Sequence, residues 1–217
     1  MIPEQSVTLV LAGDIRLDAR YAAPAAPTGG VALCHPHPLY GGDMDNPVVI
    51  RAAELCQAAG LATIRFNFRG VGGSTGTHDE GRGEQDDLRA AVQHLRTALG
   101  SPLPLAVAGY SFGASIAARV ALRDGAAALA LIAPALAVRG LDALGDLEAF
   151  EGPLLIAAGT NDSYCPPEAL AALAARVPRA VVRTVAGADH FFLGKLYPLG
   201  EIVAEWAGLV AARRMAS

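Results

Sequence analysis

Gly109-Tyr110-Ser111-Phe112-Gly113 sets a serine between two glycines, each two positions away. An apolar segment, Leu103 to Ala108, runs into it, short enough for a buried strand. Ala114 to Arg123 runs out of it, with Ile116, Val120 and Leu122 spaced for a helix face. A strand that becomes a helix at once must turn a cramped corner. Glycines relieve that corner and leave Ser111 at its apex with the hydroxyl pointing outward. The free N–H groups and positive dipole end of the helix behind it suit a developing oxyanion. The chemistry indicated is attack on a carbonyl; the plainer alternative is a glycine-rich turn that only packs a helix on a sheet.

A neutral serine needs a base, and the base needs an orienting acid. In open α/β sheets such groups collect in loops at the carboxyl ends of strands. Of the five histidines, His94 falls inside a helix and His78 in a polar loop with no evident role. His190, in Ala186-Gly187-Ala188-Asp189-His190-Phe191-Phe192, follows the last strand and is the expected base. Asp162, in Gly159-Thr160-Asn161-Asp162-Ser163-Tyr164, follows the strand before it and is the expected acid, unless it only braces its own loop as an Asx-turn. Asp142 and Asp146 are rivals, and Asp189 is too close to His190 along the chain to face its ring. The order is therefore Ser111, Asp162, His190.

These residues must be positioned by alternating elements. Ser6 to Leu11 and Ile15 to Tyr21 read as strands joined by a turn at Gly13-Asp14. Strands are then expected at Gly30–Cys34, Leu61–Phe68, Leu103–Ala108, Ala127–Ala133, Leu154–Ala158 and Ala180–Val185. Helices are expected from Asn46-Pro47, as cap and first turn, to Ala59, and at Glu84–Leu99, Ala114–Arg123, Glu168–Ala175 and Leu199–Arg213. Ala135 to Glu151 holds a short helix at best. Such alternation requires a mostly parallel, twisted sheet of about eight strands with helices on both faces. No linker or repeat divides residues 1–217, so one α/β domain is expected.

The chain has 217 residues, 53% of them hydrophobic, and a formal net charge of −4. That leaves ample material for a core and argues against nucleic-acid or anionic-membrane partners. The stretch Ala126 to Val138, broken by Pro134, falls short of the roughly 18–20 apolar residues a membrane span needs. Three scattered cysteines, Cys34, Cys56 and Cys165, form no disulfide framework, and the first residues, Met1 to Gln5, have no leader character. A cytoplasmic protein is expected. Oligomeric state leaves no trace in the sequence.

With its serine motif, its residue order, the phrase His35-Pro36-His37-Pro38…Gly41-Gly42…Met44-Asp45-Asn46, and Phe66-Asn67-Phe68-Arg69-Gly70-Val71-Gly72, the chain resembles the α/β-hydrolase superfamily over essentially its whole length. Within it, the likeness is to small bacterial hydrolases related to dienelactone hydrolases and peptidase-like esterases. Dienelactone hydrolases carry cysteine at the apex; serine here favours a serine esterase. The resemblance implies an oxyanion hole built from the Phe112 N–H and an N–H of the loop after the third strand. Pro36 and Pro38 have none, so His37 is the choice, with Leu39 and Tyr40 behind it. His35 and His37 as a metal pair lack a third ligand; no metal or cofactor is expected. Arg69 and its glycines read as a tight loop below the site rather than a phosphate cradle, and Cys34 as a small buried residue. Superfamily lids fall between the strand after the serine helix and the strand before the acid, where Ala135–Glu151 is too short for one. No cap domain is expected. An open, shallow site lined by Leu39, Tyr40, Phe112, Tyr164 and Phe191 would take small-molecule esters. A thioesterase or peptidase could use the same residues, and a non-catalytic binding module could use the same fold.

Overall fold

The structure, a computed structural model, describes residues 2–100 and 102–213; the expected 1–217 domain also includes Met1, Ser101 and 214–217, which lie outside the described residues. Eight strands form one sheet: β1 (Gln5–Val10), β2 (Arg16–Ala22), β3 (Gly30–Cys34), β4 (Ala62–Phe66), β5 (Leu105–Tyr110), β6 (Leu129–Ile132), β7 (Leu154–Gly159) and β8 (Val181–Val185), in the spatial order β1-β2-β4-β3-β5-β6-β7-β8. The β1–β2 and β2–β4 pairs are antiparallel; every later pair is parallel. At the β1–β2 hairpin, Gly13 and Asp14 both take positive φ, 74° and 58°, the conformation a tight two-strand turn requires.

Among the described residues, six helices connect or follow the strands: α1 (Pro47–Ala58), α2 (Gly83–Leu99), α3 (Phe112–Asp124), the single turn α4 (Leu136–Arg139), α5 (Pro167–Arg176) and α6 (Leu196–Ala212). Helix α1 begins as its sequence dictates: the Asn46 side chain accepts the Val48 N–H at 2.9 Å and Pro47 opens the first turn. The helices cover the sheet from both sides. Val48, Val49, Ala52 and Cys56 of α1 pack with Val203, Trp206 and Val210 of α6 on one face. Leu88, Ala91 and Leu95 of α2, Ile116 and Val120 of α3, and Leu170 and Leu173 of α5 pack on the other. The central strands β3 to β7 are therefore buried on both faces, which is why they read as largely apolar runs; Thr63 and Arg65 of β4 are the exceptions, bonded to Gln57 and to Glu4, Asp45 and Met44 O. At the edge β8 lies largely open.

Some boundaries differ from expectation. β5 runs to Tyr110, because parallel pairing with β6 continues through Tyr110↔Ile132 up to the serine itself. β4 stops at Phe66, where antiparallel pairing with β2 ends and the Asn67 N–H turns to the Asp18 carbonyl. α6 starts three residues early, at Leu196, and its Leu209 is exposed rather than core-facing. Between β6 and β7, Ala135 to Glu151 contains α4 and two 3-10 turns, Leu141–Leu144 and Leu147–Ala149, which lie against α3. Among the described residues there is no cap domain. No helix among the described residues is long and apolar enough to cross a membrane.

Candidate active site

β5 ends and α3 begins at Ser111, whose backbone sits at φ 56°, ψ −114°. A side chain there costs of order 1–3 kcal/mol, and the surroundings hold it. The Ser111 N–H donates to Ile132 O at 2.9 Å and the Ala114 N–H to Ser111 O at 3.1 Å. The two glycines are sterically required: a Cβ on Gly109 would stand 2.1 Å from Gly113 O, and one on Gly113 would stand 2.6 Å from His35 O. Chain closeness at this corner, and between it and the end of β3, is thus possible only without side chains.

His190 and Asp162 come to Ser111 from the ends of β8 and β7. The His190 Nε2 lies 2.9 Å from Ser111 Oγ, and Nδ1 lies 2.9 and 3.0 Å from the two Asp162 oxygens. This network sets the neutral tautomer: Nδ1–H donates to the carboxylate and Nε2 accepts from the hydroxyl. All three residues are buried. Asp162 Oδ1 also accepts the N–H groups of Tyr164 (2.8 Å) and Cys165 (2.9 Å). The Asx-turn and the pairing with His190 therefore coexist. The acid and histidine loops are joined by Gly187 N–H to Thr160 Oγ1 (2.8 Å) and Asn161 N–H to Ala188 O (2.9 Å). Gly159 allows this approach, since a Cβ there would lie 2.2 Å from Ala188 O. The imidazole is further fixed by Tyr110, whose hydroxyl donates to His190 O at 2.9 Å, and by the Tyr164 ring, centred 4.5 Å from it.

The rival acids lie elsewhere. The Asp142 carboxylate is fully exposed, 3.7 Å from Arg176, and Asp146 is tied to Glu148 in the same exposed group. Asp189 Oδ1 accepts the Phe191 and Leu193 N–H groups and so braces the loop.

The Phe112 N–H, in the first position of α3, has no intrahelical acceptor. In the loop after β3, the Leu39 N–H is taken by His37 Nδ1 (3.2 Å) and the Tyr40 N–H by His37 O (3.1 Å). The His37 N–H meets no protein acceptor among the described residues. Of the rim residues, Leu39, Tyr40, Tyr164 and Phe191 are exposed. The Phe112 ring corrects the expected lining. It is fully buried, turned inward beneath His37 and against Phe68, because α3 buries its first turn in the core.

The bonds by which several residues brace the site are not written in their type or spacing. His35 is wholly buried; its Nε2 accepts the Phe68 N–H at 3.0 Å, and its Nδ1–H donates to Pro36 O at 2.6 Å. With both ring nitrogens occupied, His35 is no metal ligand. Burial lowers its pKa to about 4, against the opposing hydrogen bond to Pro36 O. Asn67 Oδ1 accepts the Met44 N–H (2.9 Å), while Arg65 bonds Glu4, Asp45 and Met44 O. The His-Pro-His-Pro and Phe-Asn-Phe-Arg phrases are thus two halves of one brace between the exits of β3 and β4. Arg69 bonds Asp87 at 2.7–3.1 Å, and the glycine loop beyond it is held to β2 through Asp18, Ser74 and Thr75, which leaves no phosphate cradle. Cys34 is buried, and burial raises its pKa well above the usual thiol range.

Comparison with known proteins bears on the fold and the family. The family described as "Alpha/beta hydrolase domain" matches residues 33–196. The uncharacterized protein RP471 of Rickettsia prowazekii is 35% identical over 186 residues, which cover 82% of this chain and 78% of that one. Among solved structures, an alpha-beta serine hydrolase homologue from Coxiella burnetii is 32% identical with a TM-score of 0.85, covering 94% of this chain and 98% of that one. XC6422 from Xanthomonas campestris, an a/b serine hydrolase without lid, is 31% identical with a TM-score of 0.83, covering 94% and 93%.

Proposed function

This chain belongs to the α/β hydrolase family, and from that premise we propose that it is a serine esterase acting on small carboxylic esters. The reading is carried by the unbroken Ser111–His190–Asp162 chain, with each contact between 2.9 and 3.0 Å. Ser111 Oγ attacks the ester carbonyl as its proton passes to His190 Nε2. The carbonyl oxygen becomes an oxyanion between the Phe112 and His37 N–H groups, and Asp162 stabilises the imidazolium. Collapse expels the alcohol, which takes the proton from Nε2, and leaves Ser111 acylated. Water then attacks the acyl-enzyme, with His190 again removing the proton, and the carboxylic acid departs. These steps balance without a cofactor. Leu39, Tyr40, Tyr164 and Phe191 offer apolar contact at the mouth. A cytosolic location is consistent with three free, buried cysteines.

A fluorophosphonate probe tests the nucleophile: labelling of the wild type and none of Ser111→Ala is expected. Labelling that survives the substitution overturns Ser111 as the nucleophile, and a wild type that is never labelled is left as a binding module on the hydrolase fold. p-Nitrophenyl esters should outrun the matching thioesters and aminoacyl anilides; the reverse order would move the activity to a thioesterase or peptidase, which could use the same three residues.

A further inference from the structure

Around the ring of Phe112, the residue that follows the serine, lies a basic cluster that neither the fold nor the proposed reaction explains. The buried Phe112 ring is flanked by the His37 ring at 4.8 Å, the His78 ring at 5.6 Å and the Arg139 guanidinium carbon at 4.9 Å; His37 and His78 are 5.0 Å apart. Arg139 is the last residue of α4. The Ala137 N–H of the same turn donates to Tyr164 O at 2.9 Å, so α4 runs from the acid loop across to the Phe112 ring.

Several arginines that are wholly or partly withdrawn from water are ion-paired: Arg65 with Glu4 and Asp45, Arg69 with Asp87, Arg89 with Asp86 and Asp124, Arg176 with Glu148. Arg139 is not. Its Nε is buried without an acceptor, and its guanidinium makes no hydrogen bond or ion pair among the described residues. Burial and the charge of Arg119 weaken its hold on its proton, and Arg119 is itself bonded to Ala143 O. The nearby carboxylate, Glu84, is already committed. It accepts the Asp79 and Gly81 N–H groups and lies 2.9 Å from His78 Nδ1. A guanidinium held part-way out of water with no acceptor is costly unless a ligand supplies one.

We propose that Arg139, edged by His37 and His78, is the subsite for a carboxylate at the far end of the substrate's acyl chain, making half-esters of dicarboxylic acids the preferred substrate class. This rests on the esterase reading above. The side follows from the geometry. The leaving alcohol must take its proton from His190, whose ring contacts Tyr110, Tyr164 and Phe191. Arg139 lies instead over Phe112, on the oxyanion side. A carboxylate rather than a phosphate fits, because a planar fork binds it through two bonds and the buried charge of Glu84 would repel a dianion.

The test compares the p-nitrophenyl half-ester of adipic acid with its methyl diester, which removes the charge at the cost of one methyl group, with p-nitrophenolate release read in both. In the wild type, kcat/KM should favour the acid about tenfold or more. The ratio should fall towards one in Arg139→Met, recover in part in Arg139→Lys, and stay unchanged in the exposed control Arg123→Met. Equal ratios in the wild type and Arg139→Met overturn the subsite. Calorimetric titration of Ser111→Ala with adipate in a carboxylate-free buffer reads the subsite without turnover. Binding lost in Ser111→Ala/Arg139→Met upholds it even if no ester is cleaved, in which case only the reaction assignment falls. Ester cleavage with no charge preference and no adipate binding leaves the esterase and removes the subsite.

Discussion

Asp162 serves three donors at once: two backbone N–H groups of its own loop and the His190 ring. Asn at this position keeps one oxygen for the loop, but its amide offers N–H where the ring also offers one. The imidazole must then flip its tautomer and lose Nε2 as an acceptor for Ser111. Asp162→Asn is therefore expected to lower kcat by about three to four orders of magnitude while moving the melting temperature little; a loss under tenfold in a steady-state ester assay contradicts the assigned role. His35 makes the opposite kind of claim, about stability. Its Nε2 must stay unprotonated to accept from Phe68, and its pKa is about 4 when folded against about 6.5 unfolded. Above pH 6.5 the two states bind the same number of protons at this site. As pH falls, the unfolded chain takes up a proton that the native ring refuses, so stability drops by about 3 kcal/mol between pH 6.5 and 4. His35→Gln cannot titrate. It should be less stable at pH 7, and its deficit should shrink by about that amount at pH 4 when both proteins are unfolded in urea; a constant deficit sinks the argument.

Elements show why position matters more than residue type. Gly109 and Gly208 are both glycines in regular structure, yet alanine should act in opposite directions. At Gly109, in β5, the new methyl would meet the Gly113 carbonyl, and the α3 start would have to move; a loss of about 3 kcal/mol or more is expected. At Gly208, exposed within α6, a Cβ meets nothing within 4 Å, and alanine should add about 0.5–1 kcal/mol through helix propensity. Urea midpoints of the two variants that shift the same way would refute this. The same contrast explains what could be read from the chain. Asn46-Pro47 announces α1 because a cap is a local bond, and β3 to β7 announce themselves because burial on both faces favours apolar side chains, Thr63 and Arg65 of β4 excepted. The loops bearing Ser111, Asp162 and His190 were legible because each follows a strand, and parallel strands deliver their carboxyl ends to one rim. Arg139 and His35 were not. His35 bonds Phe68 across 33 residues, and Arg139 reaches Phe112 across a sheet connection. No periodicity records pairings of that kind. Phe112 was misplaced for a related reason: its N–H faces the site while its ring fills the core.

At the scale of the whole molecule, the connection from Ala135 to Glu151 decides what the site can hold. Leu136, Leu144 and Leu147 sink into the core, and the Arg119 Nε donates to Ala143 O at 2.9 Å, so this segment is bound flush to α3 rather than arched over Ser111. The mouth is a broken collar of exposed apolar side chains: Leu39 and Tyr40 from the loop after β3, Tyr164 beside Asp162 and Phe191 beside His190. A collar gives a long acyl chain contact along one side and water along the other. The gain of about 0.8 kcal/mol per methylene that an enclosed tunnel offers is not available past the first few carbons. Acetate and butyrate esters should therefore match or exceed octanoate and palmitate esters in kcat/KM. Without a lid to open, the rate should also cross the substrate's solubility limit smoothly. A palmitate ester cleaved far faster than butyrate, or a jump in rate at the limit, would mean that some part of the chain closes over the serine to build the missing wall.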